Sequence, residues 1–305
     1  MSTAAPAHAG FAAVVGRPNV GKSTLVNALV GQKVAIVSDK PQTTRNRILA
    51  VVNRPGGQIV LFDTPGIHKP MHRMNERMVE AAVSSLSHVE LAVWVVDVTA
   101  PLGPGDRYVQ GVLRRARRPT LLALNKIDRI PKTRLLPLMD RWRHMLDFVE
   151  IVPVSALHGE NVDLLAERVL AHLPEAEPLY PADFLTDLPE RFFVAEMVRE
   201  QVLRKTRDEL PYTTGVMIDL FREEEKLVRI EASILVERES QKPIVIGKGG
   251  SLLKAIGTAA RREIENFLDA KVYLGLFVKV REGWREDPHI LSEIGIVSPA
   301  RGDRD

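Results

Sequence analysis

In the first half of the chain, short and almost wholly apolar runs alternate with stretches whose apolar residues recur at helical spacing. The runs are AAVVG (12–16), RILAVV (47–52), QIVLFD (58–63), LAVWVVD (91–97), TLLALN (120–125) and EIVPVS (150–155). Strands apolar on both faces, separated by helices, predict an α/β domain with a mostly parallel sheet and flanking helices. In such a sheet the ligand loops gather at the carboxyl ends of the strands.

The pattern changes after the helical NVDLLAERVLAHL. Prolines at 174, 178, 181 and 189 mark an extended connector. Beyond it comes a helical stretch, RFFVAEMVREQVLRKTRDEL, and then two β-rich runs, TTGVMIDLFRE and KLVRIEASILVER, joined by an acidic turn as in a hairpin. A short element, a long helix and a last β-rich run, YLGLFVKV, complete an α+β unit. Propensity alone reads PIVI (243–246) as a strand. The expected organisation is a flexible N-terminus over 1–9, the α/β domain over 10–174, a connector over 175–190, the α+β domain over 191–286 and an unstructured tail over 287–305.

Composition narrows the chemistry. The chain has no cysteine, which excludes disulfides, thiolate metal sites and a Cys nucleophile. Two of its eight histidines, His68 and His72, are four apart, but Pro70 spoils a helical ligand pair, so both read as loop residues. No signal peptide and no apolar run of about 20 residues is evident, so export and membrane spanning are not expected. The net charge of +3 is carried by the N-terminal part, because acidic side chains outnumber basic ones from residue 176 onward. A nucleic-acid site in the second domain must therefore be a local patch.

The first strand runs into GRPNVGKST, which comprises Gly16, Arg17, Pro18, Asn19, Val20, Gly21, Lys22, Ser23 and Thr24. It matches G-x-x-x-x-G-K-[ST] between a strand and a helix. In that loop backbone N–H groups wrap phosphates, the lysine reaches the outer ones and the Ser hydroxyl faces Mg²⁺. In the polar SDKPQTTRNR, Thr43 or Thr44 offers a hydroxyl to the same ion when a γ-phosphate is present. QIVLFDTPG ends a strand with Asp63, a Mg²⁺ candidate through water, and sets Gly66 where its N–H can face the γ-phosphate. In NKID, the Asp128 carboxylate matches guanine's N1–H and 2-amino donors, with Asn125 and Lys126 bracing the loop; adenine lacks that pairing, so GTP is expected over ATP. Ser155, Ala156 and Leu157 of the next strand end could present backbone to the base.

In the second domain Gly247, Gly249 and Gly250 precede the long helix, and Gly247 with Gly250 satisfies G-x-x-G around Lys248. Such a loop lets a nucleic-acid backbone approach the helix N-terminus. Lys242, Lys254, Arg261 and Arg262 supply the local basic patch, and Ile244, Ile246 and Leu253 an apolar floor for bases. Trp94 and Trp142 read as core residues; Trp284 reads as packing or as a partner contact.

Together GRPNVGKST, PQTTR, DTPGIHKP and NKID resemble the Era family of GTPases, and the resemblance continues to about residue 285. It implies a P-loop GTPase domain followed by an α+β type II KH domain, and it makes PIVI a short helix. It also selects Thr44 over Thr43. Lys22, Thr44, Gly66 and Asn19 are then the catalytic candidates. Where many GTPases place a water-orienting Gln, this chain has Ile67, so slow unaided hydrolysis is expected. The resemblance implies K⁺ held by Asn19 as compensation; alternatively Asn19 only shapes the loop. It further implies binding of single-stranded RNA near the 3′ end of small-subunit ribosomal RNA, a role in assembly of the small ribosomal subunit, a monomer, and a cytoplasmic location with peripheral contact at the inner membrane face. Two other readings stay open: a constitutive RNA-binding module with a structural GTPase domain, and a GTPase acting on a protein partner.

Overall fold

The computed structural model describes residues 7–40, 42–70 and 73–296. The first domain runs β1 (His8–Val15), α1 (Lys22–Val30), β2 (Ile48–Arg54), β3 (Gly57–Asp63), α2 (Arg73–Ser85), β4 (Leu91–Asp97), α3 (Pro104–Ala116), β5 (Thr120–Asn125), α4 (Leu135–Arg143), β6 (Glu150–Val154) and α5 (Val162–Ala171). The sheet order is β2-β3-β1-β4-β5-β6, with only the β2–β3 pair antiparallel. Alternate residues of each strand feed two cores. Ala12 and Val14 of β1 meet α1 and α5 on one face, and Ala13 and Val15 meet α2, α3 and α4 on the other. This double burial is why the strands are apolar throughout.

The connector lacks helix and strand but is firmly placed. Gln58 of β3 accepts from the N–H groups of Leu179 (2.8 Å) and Tyr180 (2.9 Å), and Val51 of the edge strand β2 donates to the Leu185 carbonyl (2.9 Å). It thereby covers the one sheet edge that lies beside it. The domain starts earlier than expected: β1 begins at His8, paired with Gly57, inside the span read as a flexible N-terminus.

The second domain runs α6 (Glu190–Lys205), α7 (Leu210–Thr213), β7 (Gly215–Glu223), β8 (Val228–Val236), α8 (Gln241–Ile246), α9 (Ser251–Leu268) and β9 (Val272–Val280), followed by α10 (Pro288–Glu293). Its sheet is β7-β8-β9, antiparallel then parallel. One face packs on α6 and α9 through Val194, Val198, Ile256, Ala260 and Ile264. PIVI ends the helix α8, contrary to its β-propensity. The buried Gln241 starts that helix by accepting from the N–H groups of Glu237 and Arg238 at the end of β8, and Val245 is buried in the core. Tertiary packing here overrides a weak local preference.

Trp284 and the segment after it are the second departure. Trp284 is fully buried, its Nε1 donates to the Thr213 carbonyl (3.1 Å), and it packs with Met74 and Met78 of the first domain and Leu291 and Ile296. The first part of the expected tail is therefore the helix α10, opened by Asp287, whose carboxylate accepts from the N–H of His289. Apolar residues at 290, 291, 294 and 296 signalled it, but their partner helix α2 lies more than two hundred residues away. His72 and the terminal SPARGDRD fall outside the described residues. No described helix is long and apolar enough to cross a membrane.

Candidate functional site

The loop from Gly16 joins β1 to α1, whose N-cap, Gly21, adopts a left-handed conformation and makes no side-chain cap. The first N–H groups of α1 thus face a cavity of about 470 Å³ with no side chain capping them. Lys22 is 6% exposed and folds back, its Nζ donating to the carbonyls of Arg17 (2.9 Å) and Gly16 (3.4 Å). Burial lowers its pKa to about 8, against the attraction of Asp63. Asp63 is wholly buried and neither carboxylate oxygen has a hydrogen-bond partner among the described residues. Burial raises it to about 6, with Lys22 and the hydroxyls of Ser23 and Thr44 pulling the other way. The two attract each other without a direct hydrogen bond, and a phosphate at Lys22 with a cation at Asp63 would compensate their burial.

The two switch threonines separate. Thr44 Oγ1 lies 2.6 Å from Ser23 Oγ, whereas Thr43 Oγ1 donates to the Lys40 carbonyl (2.7 Å). Ser23, Thr44 and Asp63 therefore form an oxygen set suited to Mg²⁺. Gly66 touches the loop so closely that a Cβ would lie 2.7 Å from Pro18 N, and the next N–H, of Ile67, donates to the Gly16 carbonyl (3.0 Å). The Ile67 side chain sits in the core, not in the cavity.

At the base end Asn125 Nδ2 donates to the Val20 carbonyl (2.9 Å), and Lys126 Nζ donates to the Asn19 carbonyl (2.8 Å), so NKID braces the phosphate loop. Asp128 borders the cavity and accepts from Ser155 Oγ (2.6 Å). Ser155 and Ala156, expected to offer backbone to the base, lie beside the base readers. Their N–H groups are engaged by the Glu160 carbonyl and by Asn125 Oδ1, which helps hold the base readers in place; Ala156 and Leu157 line the cavity, and Ser155 does not. Gly16, Arg17 and Val20 do not line it either: Arg17 pairs with Asp106 (2.7 Å) and the Val20 side chain is core. Pro18, Asn19, Gly21 and Thr24 do line it.

Sequence reading missed Asp97, which accepts from Lys126 Nζ at 2.5 Å. Partial burial opposes its ionisation, but the hydrogen bonds from Lys126 and Thr99 outweigh that and hold its carboxyl below the usual range. The signal was available, since Asp97 ends a buried strand as Asp63 does. Ile36, Val37, Asp39 and Arg129 also line the cavity; nothing in their residue types marks them.

The glycine loop of the second domain is open. Gly250 caps α9 in a left-handed conformation without a side-chain cap, as Gly21 caps α1. Lys248 and Lys254 are exposed near it, Lys242 is partly exposed, and Ile244 is half exposed beside Ile246 and Leu253; Arg261 and Arg262 are exposed too, but about three turns further along α9. Tyr273 and Phe277 of β9 are also exposed, a pair that the period-2 pattern Tyr273, Gly275, Phe277 marks as one face.

The two domains meet through the switch segment. On either side of Thr44, the Thr43 carbonyl accepts from Arg199 of α6, and Arg45 donates to the carbonyls of Thr214 (2.8 Å) and Pro211 (3.3 Å). Glu200 of α6 pairs with Lys33 and accepts from the Val37 N–H (3.2 Å).

Comparison with known proteins agrees with this layout. The model of the 50S ribosome-binding GTPase family matches residues 11–126, and that of the KH domain matches 209–285. The chain is 49% identical to GTPase Era of Geobacter metallireducens over 292 residues, 95% of this chain and 98% of that one. A crystal structure of Era in complex with MgGDPNP and nucleotides 1506–1542 of 16S ribosomal RNA superposes with a TM-score of 0.92 at 42% identity, covering 95% of this chain and 99% of that one. An Aquifex aeolicus Era variant bound to GDP and AlF₄⁻ superposes at 0.91, with the same identity and coverage. With both domains, their order and their ligand loops in common over nearly the whole length, the chain belongs to the Era family and is a GTPase.

Proposed function

We propose that this GTPase is a nucleotide-controlled clamp for single-stranded RNA near the 3′ end of small-subunit ribosomal RNA, acting in assembly of the small subunit and maturation of that RNA. The single observation that carries the control is the switch segment. Thr44, the residue able to sense a γ-phosphate, stands between two residues bonded to the RNA domain. A nucleotide that changes the position of Thr44 must change those bonds, which gives the two domains a physical coupling. The related complex with 16S nucleotides 1506–1542 supports the choice of RNA.

Ser23, Thr44 and Asp63 would hold Mg²⁺, and the two unpartnered oxygens of Asp63 fit that ion. Bound there, it supplies positive charge to the β- and γ-phosphate oxygens. Lys22 turns from the loop carbonyls to the phosphates, and the Gly66 N–H faces the γ-phosphate. Asp128 accepts from guanine. Because Ile67 lies in the core, no side chain at that position orients the attacking water. Asn19, whose Nδ2 donates to the Asp39 carbonyl (2.6 Å), is the residue that would hold K⁺ beside the phosphates.

The test is the affinity for a short single-stranded RNA from that 3′ end, with a non-hydrolysable GTP analogue and with GDP, over a salt series. Tighter binding with the analogue, with a salt slope of a few phosphates, is expected. Equal affinities would reduce the protein to a constitutive RNA module; no binding in either state would favour a protein partner.

A further inference from the structure

Between the two domains lies a cavity of about 680 Å³, separate from the nucleotide loop and from the glycine loop of α9. Four arginines line it: Arg45 and Arg47 leading into β2, Arg77 of α2 and Arg191 of α6. Among the described residues none of the four forms an ion pair with a carboxylate. Their protein partners are neutral. Arg45 donates to two carbonyls, Arg77 to the Ile296 carbonyl (3.2 Å) and Arg191 to the Ile218 carbonyl (3.1 Å), while the Arg47 guanidinium lies 4.5 Å over the Phe62 ring.

Arg45 is the sharpest case, at 3% exposure with a buried Nε that has no partner among the described residues. A buried guanidinium whose hydrogen bonds go to neutral carbonyls is costly and is normally compensated by an anion. Asp187 and Glu293 also border the cavity, so four arginines less two carboxylates leave a net charge of +2. That matches a dianion, and the planar guanidinium fork matches phosphate oxygens. Asn46, Ser84 and His88 add polar groups, the remainder of the lining is mostly apolar, with Leu49, Phe192, Val216 and Ile218, and the volume is that of a small-molecule site.

We propose that this interdomain cavity binds a small organic phosphate, its phosphate on the arginines and its apolar part against Leu49, Phe192, Val216 and Ile218. Both domains supply the walls, so an occupant stabilises the arrangement in which they are joined and acts as an effector of the clamp.

The test uses full-length protein saturated with Mg²⁺ and a non-hydrolysable GTP analogue, so that the nucleotide loop is filled. 1-Naphthyl phosphate and inorganic phosphate are titrated by calorimetry into the wild type and into Arg47→Ser and Arg191→Ser, one variant from each domain. Naphthyl phosphate should bind more tightly than inorganic phosphate, and each variant should weaken it about tenfold, while intrinsic GTP hydrolysis of Arg191→Ser is unchanged. No binding by the wild type up to about 10 mM, equal affinity for the two phosphates, or equal affinity in wild type and variants overturns the proposal. So does a variant that loses RNA affinity but keeps naphthyl phosphate, since the arginines would then be an RNA contact.

Discussion

The loops before α1 and before α9 are built alike: a turn with glycines, a lysine within two residues of the cap, and a helix whose N-cap is a left-handed glycine with no side-chain cap. They differ in depth. Lys22 and Asp63 are buried, whereas Lys248 and Gly249 stand in solvent. The same local device therefore does two jobs. In the enclosed site each unmatched polar group is expensive, so the site discriminates between bases. At the open site charges are screened, and the contact proposed for the helix N-terminus is to a backbone that every nucleotide shares.

The largest effect should come from Lys22→Ala, which removes a buried cation from the phosphates. Nucleotide affinity should fall on the order of 10³-fold in equilibrium binding of a fluorescent GDP, with the fold retained by circular dichroism. Tight binding in that variant would break the contrast at once. Asp128→Asn should move preference from guanine to xanthine nucleotides by on the order of 10²-fold or more, measured by competition. Retained GTP preference would mean that Asp128 does not read the base.

At the open loop effects should be smaller and graded. Gly250 has φ near +77° and free space where a Cβ would stand, so Gly250→Asp costs about 1 kcal/mol of stability and mainly places an anion at the helix N-terminus. RNA affinity should drop about tenfold while GTP binding is unchanged. Gly247 is a poorer probe, since a Cβ there would meet the Leu252 backbone N at 2.8 Å and disturb the fold itself. Lys248→Ala should weaken RNA binding by a lesser factor and reduce the salt slope by about one.

Between the domains, Glu200→Gln leaves Arg204 facing a neutral partner and Lys33 paired with Glu263 alone. A loss of about 1 kcal/mol in denaturant unfolding is expected, together with a narrower difference in RNA affinity between the GTP and GDP states. An unchanged difference would remove α6 from the coupling. The mildest prediction concerns Asn19: hydrolysis should run faster in KCl than in NaCl at equal ionic strength, and Asn19→Ala should erase the difference. Equal wild-type rates would leave Asn19 with loop shaping alone.

Much of this molecule is readable from local pattern. All six strands of the first domain and the hairpin of the second announce themselves, because an apolar run between turns has few other uses. The nucleotide loop, DTPG and NKID are equally plain, since each chemical demand is met by residues adjacent in the chain. PIVI, by contrast, misleads: its β-branched residues end a helix because Gln241 caps the end of β8 from inside the fold. Thr43 and Thr44 are chemically the same, and only the fold of the switch segment places one of them against Ser23.

What short-range order in the chain settled is the two domain types, their sequence, the preference for guanine and the place of both loops, since these depend on residues within one turn or one strand of each other. Contacts across long stretches of chain decided the rest. Arg45 reaches Thr214, Arg199 reaches Thr43, Trp284 reaches Met74, and the tail returns as α10 to seal the interface. No periodicity reports such pairings, because a buried charge or indole looks the same in the chain whichever distant surface it meets.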